Sequence, residues 1–293
     1  MAEMVTRPQV YGGRFYRALK IRKNLSRWIA YFILTLGGGV VVYPFFYMVM
    51  NSFKPGPEIL HAPMKLPSRW VVTGYIAVWR ELQVPLLFRN SLILAVSITL
   101  LNLLFDSLAA YALSKLHFPG RDTLFNLMLA TLMIPGVLFL IPTYVIMYRL
   151  GWVGHFRSLI IPASISVYNI FLMKQFMQRI PDELIDAARI DGCGELGVYF
   201  RIVLPLSRPV LTTVAILTFM GSWNDFFGPL LYLMEDPSKW TVQLGLHYFN
   251  TSIPGENAEQ VWAATTAITV PLVLLYFFLQ DQFMKAFAGM SLK

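Results

Sequence analysis

Long apolar runs separated by short polar stretches set the pattern of this chain. Six stand out, at roughly Trp28–Phe53, Ser91–Ser114, Thr123–Tyr148, Ser158–Phe176, Val210–Met234 and Val261–Gln280. A helix rising about 1.5 Å per residue crosses a hydrocarbon layer of about 30 Å in about 20 residues, so each run predicts one spanning helix. Pro44, Pro135, Pro142, Pro162 and Pro271 lie inside these runs. Spanning helices tolerate proline where neighbouring helices or water satisfy the freed carbonyls, so these positions predict kinks rather than boundaries. Gly37, Gly38 and Gly39 in the first run permit bending or close helix contact.

Lys and Arg orient the spans. With the N-terminus inside, sixteen of the 24 fall on inner segments. Seven lie before Trp28, Lys115 and Arg121 follow the second run, five lie from Lys174 to Arg208, and Lys285 and Lys293 follow the sixth run. The bias predicts that both termini are cytoplasmic. The expected organisation is a basic cytoplasmic segment over 1–27, a transmembrane domain over 28–287 and a cytoplasmic tail over 288–293. No cleavable signal peptide is expected, because the first apolar stretch is too long and no small-x-small site follows it. The largest outer segments are 54–90 and 235–260. Trp70, Trp79 and Trp240 in them fit an aromatic belt at the interface.

Composition sharpens the picture. Of 293 residues, 56% are hydrophobic and 14% charged, with a mean hydropathy of +0.57. A soluble domain is usually nearer 45–50% apolar and about 25% charged, so a chain solvated largely by lipid is indicated. The +8 net charge sits mainly on inner segments, where it can attract anionic lipid, so nucleic acid is not an expected partner. Cys193 is the only cysteine, which excludes an intrachain disulfide and a multi-cysteine metal site. The four scattered histidines have no metal-ligand spacing. No G-x-x-x-x-G-K-[ST] loop is present, so the chain is not expected to bind ATP, and no cofactor, metal or catalytic residue is expected. Only Asp106 and Asp225 lie within the runs. Intramembrane acids are functional candidates by default, although Asp106 also suits helix–helix bonding or the inner mouth. A self-sufficient secondary transporter or channel for a small polar solute is the alternative class. It would need a coupling-ion site at mid-membrane, for which these two acids are the only material.

The inner segment 180–209 differs from the rest. Pro181 followed by Asp182 and Glu183 starts a helix well, since proline suits the first turn and acids suit the positive end of the dipole. Asp191-Gly192 reads as a turn. A second short helix is expected to run to about Ile202, before Leu204-Pro205. The result is a compact helix–turn–helix on the cytoplasmic face. Ala187 and Ala188 allow close approach, while Leu184, Ile185 and Phe200 give apolar anchors. A helix this short gains most of its stability from packing, on its own bundle or on a partner.

This segment resembles the coupling motif of ABC importer permeases, E-A-A-x3-G-x9-I-x-L-P. Asp186-Ala187-Ala188, Gly192, Ile202, Leu204 and Pro205 fall at that spacing. Asp186 stands where Glu is usual, and Cys193 where Ala is common. The likeness extends over roughly 43–285. Asn51-Ser52-Phe53-Lys54 is similar to the N-S-F-K of sugar permeases. Asn90-Ser91, Ala110-Tyr111-Ala112-Leu113-Ser114-Lys115 and Trp223-Asn224-Asp225 are similar to further family segments. Together they resemble the second, six-helix permease of maltose-type carbohydrate importers.

The resemblance implies an all-α membrane protein of the type I ABC importer permease fold, with six transmembrane helices and a cytoplasmic coupling helix between the fourth and fifth. It implies a bacterial or archaeal cytoplasmic membrane, a homologous permease subunit as heterodimer partner, two ABC ATPase subunits, an extracytoplasmic solute-binding protein and a carbohydrate substrate. Glu183, Asp186, Ala187, Ala188, Asp191, Gly192 and Phe200 are the expected ATPase-coupling surface. Trp223, Asn224 and Asp225 are the expected translocation-path residues, since rings stack on sugar faces and amides bond hydroxyls. The outer segments hold eight bases against six acids, an excess too small to choose between neutral and acidic saccharides.

Overall fold

A computed structural model describes residues 12–81, 83–252, 258–270, 273, 274 and 277. Within these residues the chain is helical with no strand. Helix α1 (Gly12–Ser52) is followed by the short α2 (Gly56–His61), at the end that the charge bias predicts to be outer, then α3 (Thr73–Glu81) and the long α4 (Val84–Lys115). Helix α5 (Arg121–Thr131), a 3-10 turn at Gly136–Phe139 and α6 (Leu140–Arg149) come next. After α7 (Arg157–Ile160) and a 3-10 turn at Pro162–Ser164 comes α8 (Val167–Met177). The inner segment forms α9 (Asp182–Ile190), α10 (Glu195–Val198), a π turn at Tyr199–Val203 and α11 (Leu204–Leu206). Helices α12 (Arg208–Trp223), α13 (Phe227–Leu233) and α14 (Val242–Ser252) follow, and residues 258–270 are again helical.

Two stretches, Arg27–Ser52 and Val84–Lys115, are single helices long and apolar enough to cross a membrane. The third expected span departs from a kinked rod: Arg121–Thr131 and Gly136–Arg149 meet at 91°. Pro135 is therefore a boundary, as its missing N–H and its restriction of Ile134 dictate. Pro162 likewise sits at a break, with α7 ending at Ile160 and α8 starting at Val167. Of the described prolines among them, Pro44 lies well inside the long α1 and Pro142 in the first turn of α6. The fifth run breaks at 224–226, between α12 and α13. The far part of the sixth run, with Pro271, lies outside the described residues, as do the tail and the first eleven residues.

Helix α4 is the central post, packed chiefly against α12 and α8. Its buried face divides into three layers. Toward the outer end, Leu87, Leu94 and Ala95 join a core that includes Leu159, Trp223, Tyr232, Trp240 and Ala263. Toward the inner end, Ala110, Tyr111 and Leu113 join a second core with Ile170, Met173, Ile185, Ala188, Tyr199 and Val214. Between the two lie Thr99, Asn102, Asp106 and Ser107, all buried and polar. In contrast, α1 is exposed along Arg27–Phe46 and begins to bury only near Met48.

The outer segment is ordered by Lys54, Asn90 and Ser91. Lys54, fully buried, donates to the carbonyls of Ala62 (3.1 Å) and Pro63 (2.7 Å), just past the end of α2. Burial pushes its pKa down, against the opposing pull of Glu58. Asn90 Nδ2 donates to the carbonyls of Ser238 (2.9 Å) and Trp240 (3.0 Å), and Ser91 Oγ accepts from the Val242 N–H (2.9 Å). Trp70 and Trp79 are exposed as an interfacial belt requires, but Trp240 is not. Its ring belongs to the outer core, and its indole N–H bonds the Met234 carbonyl at 3.1 Å.

Candidate functional site

Two features carry chemistry: a helical knob at the inner end of α4 and a cavity beside the polar layer. The knob begins at Pro181, whose extended ψ of 133° turns the chain into α9. Asp182 and Glu183 fill the first turn and Arg189 the last, each complementing the helix dipole. The helix closes with Gly192 at φ +84°. The Gly192 N–H bonds the Arg189 carbonyl (3.0 Å) and the Cys193 N–H bonds the Ala188 carbonyl (2.9 Å). This is the Schellman pattern, in which a left-handed residue reverses the chain, and glycine adopts it without the Cβ penalty.

The second helix of the knob differs from expectation. It does not stop before Leu204-Pro205 but runs from Glu195 to Leu206, then bends by 79° into α12. The ladder widens to a π turn just before Pro205, which lacks the N–H that an unbroken α ladder would need.

The faces of α9 are clearly divided. Ile185 and Ala188 point into the inner core. Glu183, Leu184, Asp186, Ala187, Ile190, Asp191 and Gly192 are exposed. Ile190 is 86% exposed, Leu196 67% and Phe200 52%, an apolar stripe at the inner end of a bundle. Ala188 thus seats the knob on its own chain, and Ala187 faces outward.

Bonds to α4 hold the knob. Lys115 Nζ reaches Asp182 Oδ1 and the Ile180 carbonyl, both at 2.6 Å. The bond and charge of Lys115 hold the Asp182 carboxyl below the usual carboxylate range. Tyr111 donates its hydroxyl to Glu195 Oε2 (2.6 Å), and Ser107 Oγ lies 2.6 Å from the Tyr199 hydroxyl. Arg189 spans Asp186 (3.2 Å) and Glu195 (2.9 Å), tying the two halves together. Lys115, Tyr111 and Glu195 hold the knob to α4 although none of them is among the expected coupling residues.

The cavity, about 720 Å³, lies where α4, α8 and α12 meet at the broken turns. Behind it a network fixes the break in the fourth run. Asp106 accepts from the Ser166 N–H (3.0 Å) and from Asn169 Nδ2 (3.1 Å). Asn169 also reaches Asn102 Oδ1 (2.8 Å) and Thr218 Oγ1 (3.1 Å), and Asn102 donates to the Ala163 carbonyl (2.6 Å). Asp106 is therefore bonded between helices, one of the two readings open to it from sequence.

The three expected path residues separate. Asp225 lines the cavity, its Oδ1 accepting from the Gly228 N–H at 3.2 Å. Trp223 does not: α12 ends there with the indole 5% exposed, 5.6 Å from the Phe88 ring and 5.8 Å from Phe219. One residue of helical rotation carries it from the cavity into the core. Asn224 caps α12, bonds the Met220 carbonyl (2.9 Å) and receives Gln243 (3.3 Å). Among the described residues no three His, Cys, Asp or Glu side chains gather where a metal could sit.

Comparison with known proteins places this geometry in context. Residues 107–288 match the family described as binding-protein-dependent transport system inner membrane component. The arabinooligosaccharides transport system permease protein AraQ of Halalkalibacterium halodurans is 34% identical, the match covering 86% of this chain and 92% of that one. Protein LplC of Bacillus subtilis is also 34% identical, over 89% and 93% of the two chains. The diacetylchitobiose uptake system permease protein NgcG of Streptomyces coelicolor is 32% identical, over 85% and 83%. Among solved structures, a chain of a bacterial ABC transporter involved in the import of the acidic polysaccharide alginate superposes with a TM-score of 0.78. It covers 93% of this chain and 99% of the other at 21% identity, a likeness of fold.

Proposed function

The chain belongs to the family of binding-protein-dependent transport system inner membrane components, and from that premise we propose that it is one permease subunit of an ATP-driven importer of oligosaccharides. The carbohydrate follows from the relatives named for arabinooligosaccharide and diacetylchitobiose transport, together with a cavity whose largely apolar wall carries hydroxyl and amide groups. Six spans, cytoplasmic termini, a heterodimer with a homologous permease and the domain limits 1–27, 28–287 and 288–293 belong to the same reading. A solute-binding protein would deliver sugar from outside, and two ATPase subunits would hydrolyse ATP on the inside. The sequence has no phosphate-binding loop of its own, so the energy must arrive through a protein contact.

The observation that carries the reading is the apolar stripe of Leu184, Ile190, Leu196 and Phe200, exposed on a knob bolted to α4 through Lys115 and Tyr111. Exposed apolar surface rimmed by polar groups marks an interaction site. Glu183, Asp186 and Asp191 supply that rim, and Ala187 permits close approach. Ala188 and Gly192 shape the knob from within. Closure of an ATPase pair around the stripe would pull α9, and with it the inner end of α4 and the bent start of α12. Asp225 and the cavity above would then change their access, with Trp223 and Asn224 setting where α12 ends.

The test is ATPase activity of the reconstituted four-part importer, stimulated by sugar-loaded binding protein. Ile190→Asp and Phe200→Asp should bring stimulated activity down to the basal level while leaving the subunit inserted and assembled. Ile190→Leu should preserve it. Full stimulation in both charged variants would overturn this role for the knob.

A further inference from the structure

We infer that the cavity beside the polar layer is a charge filter, admitting uncharged saccharides and rejecting those that carry carboxylates. The inference rests on the reading of the chain as a saccharide permease and adds the class of saccharide. Its polar wall is made of hydroxyls and amides, among them Ser158, Ser166, Tyr168, Asn169, Thr218 and Ser222, with the single carboxylate of Asp225. Sugar hydroxyls can both give and take hydrogen bonds with such groups. Among the described residues no Lys, Arg or His lines it.

The cations nearest along the bordering helices are committed elsewhere. Arg157, next to Ser158, donates to the Gly151 carbonyl at 3.0 Å and lies over the Trp152 ring at 5.7 Å. Lys174, on α8 below Asn169, lies 3.5 Å over the Phe125 ring. Behind the wall stands a second acid, Asp106, held by the Ser166 N–H and Asn169. A uronate entering here would shed water from its carboxylate, meet no cation among the described residues of this chain and face carboxyl groups. A charge that loses water without gaining a partner is strongly disfavoured. A neutral saccharide loses only hydroxyl solvation, which the wall can replace.

Two readouts on the assembled importer test this, with Ser222→Cys in a Cys193→Ala background. The first compares a trimethylammonium-bearing and a sulfonate-bearing methanethiosulfonate of similar size. The cationic reagent should label residue 222 about tenfold faster than the anionic one, after correction for their rates on a free thiol, as expected of carboxyl groups within a few ångströms at protein-like dielectric. Adding Asp225→Asn should narrow that ratio. Equal labelling rates, or faster labelling by the sulfonate, would overturn the filter. The second readout is uptake and thiol protection with a neutral arabino-oligosaccharide and an oligogalacturonate of equal length. The neutral sugar should be imported and slow the labelling, and the oligogalacturonate should do neither. Import of both at equal rates refutes the filter and leaves the permease reading intact. A preserved labelling ratio in an importer that moves no saccharide refutes the permease reading, and with it the saccharide filter, and leaves only the cavity's preference for cations over anions.

Discussion

A carboxyl group inside a membrane helix needs partners, and Asp106 has them in the Ser166 N–H and Asn169. Asp106→Leu removes the acceptor and strands the Ser166 N–H in a buried layer, while Asn169 keeps Asn102 and Thr218. The expected loss is about 1–3 kcal/mol, read as earlier thermal unfolding of the detergent-solubilised complex, with Asp106→Asn losing less. An unchanged transition in the leucine variant would show that the network is dispensable. Part of this layer was legible in the sequence, because Thr99, Asn102 and Asp106 share one helical face by spacing alone. Asn169, Thr218 and Ser166 were not, since only the fold brings them to that face. Trp223 shows the limit from the other side. An aromatic beside Asn224 and Asp225 suggests a sugar platform, but the rotation of the last turn of α12 packs it on Phe88 and Phe219. At Gly192 the backbone decides. An added Cβ meets nothing within 4 Å, so only the φ of +84° resists it. Gly192→Ala should therefore be milder, at about 1–2 kcal/mol of strain. Gly192→Pro, whose ring fixes φ near −65°, should abolish sugar-stimulated ATPase activity altogether.

Helices tell a similar story one level up. The six apolar runs do contain helices wherever they are described, but the prolines at 135 and 162 end helices rather than bend them. Composition cannot distinguish a kinked span from a broken one, because the outcome depends on whether neighbours satisfy the freed carbonyls. The broken turns are where the cavity forms. The knob was more legible, since its caps, turn and apolar anchors are all local signals. Its attachment was not, because Lys115 and Asp182 are far apart in sequence. Lys115 depresses the Asp182 carboxyl below its usual range, so the pair stabilises the knob at any pH above that range. The contribution fades as pH falls through the depressed value. Amide hydrogen exchange over 182–190 should accordingly rise on acidification, and Lys115→Met should make it fast at neutral pH. Exchange independent of both would argue that the inner core alone holds α9.

At the scale of the whole molecule, α4 joins two apolar cores through a polar layer. The inner core carries Ile185, Ala188 and Tyr199 of the knob, and the outer core carries Trp240 and Ala263 beneath the outer segment. On the proposed reading a push on the knob would reach the cavity through the helices that border both, α4 with α8 and α12 beside it. Meanwhile α1 leaves Arg27–Phe46 exposed, so much of its surroundings must come from lipid or from another chain. The measurement that bears most directly on this account is site-specific photo-cross-linking from position 190 in the assembled importer, with position 60 on the outer segment as the control. A photoreactive side chain at 190 should give an adduct with the ATPase subunit, stronger when ATP is bound, and one at 60 should give none. Adducts from 190 confined to this chain or its sister permease would contradict the claim that the knob receives the work of ATP hydrolysis.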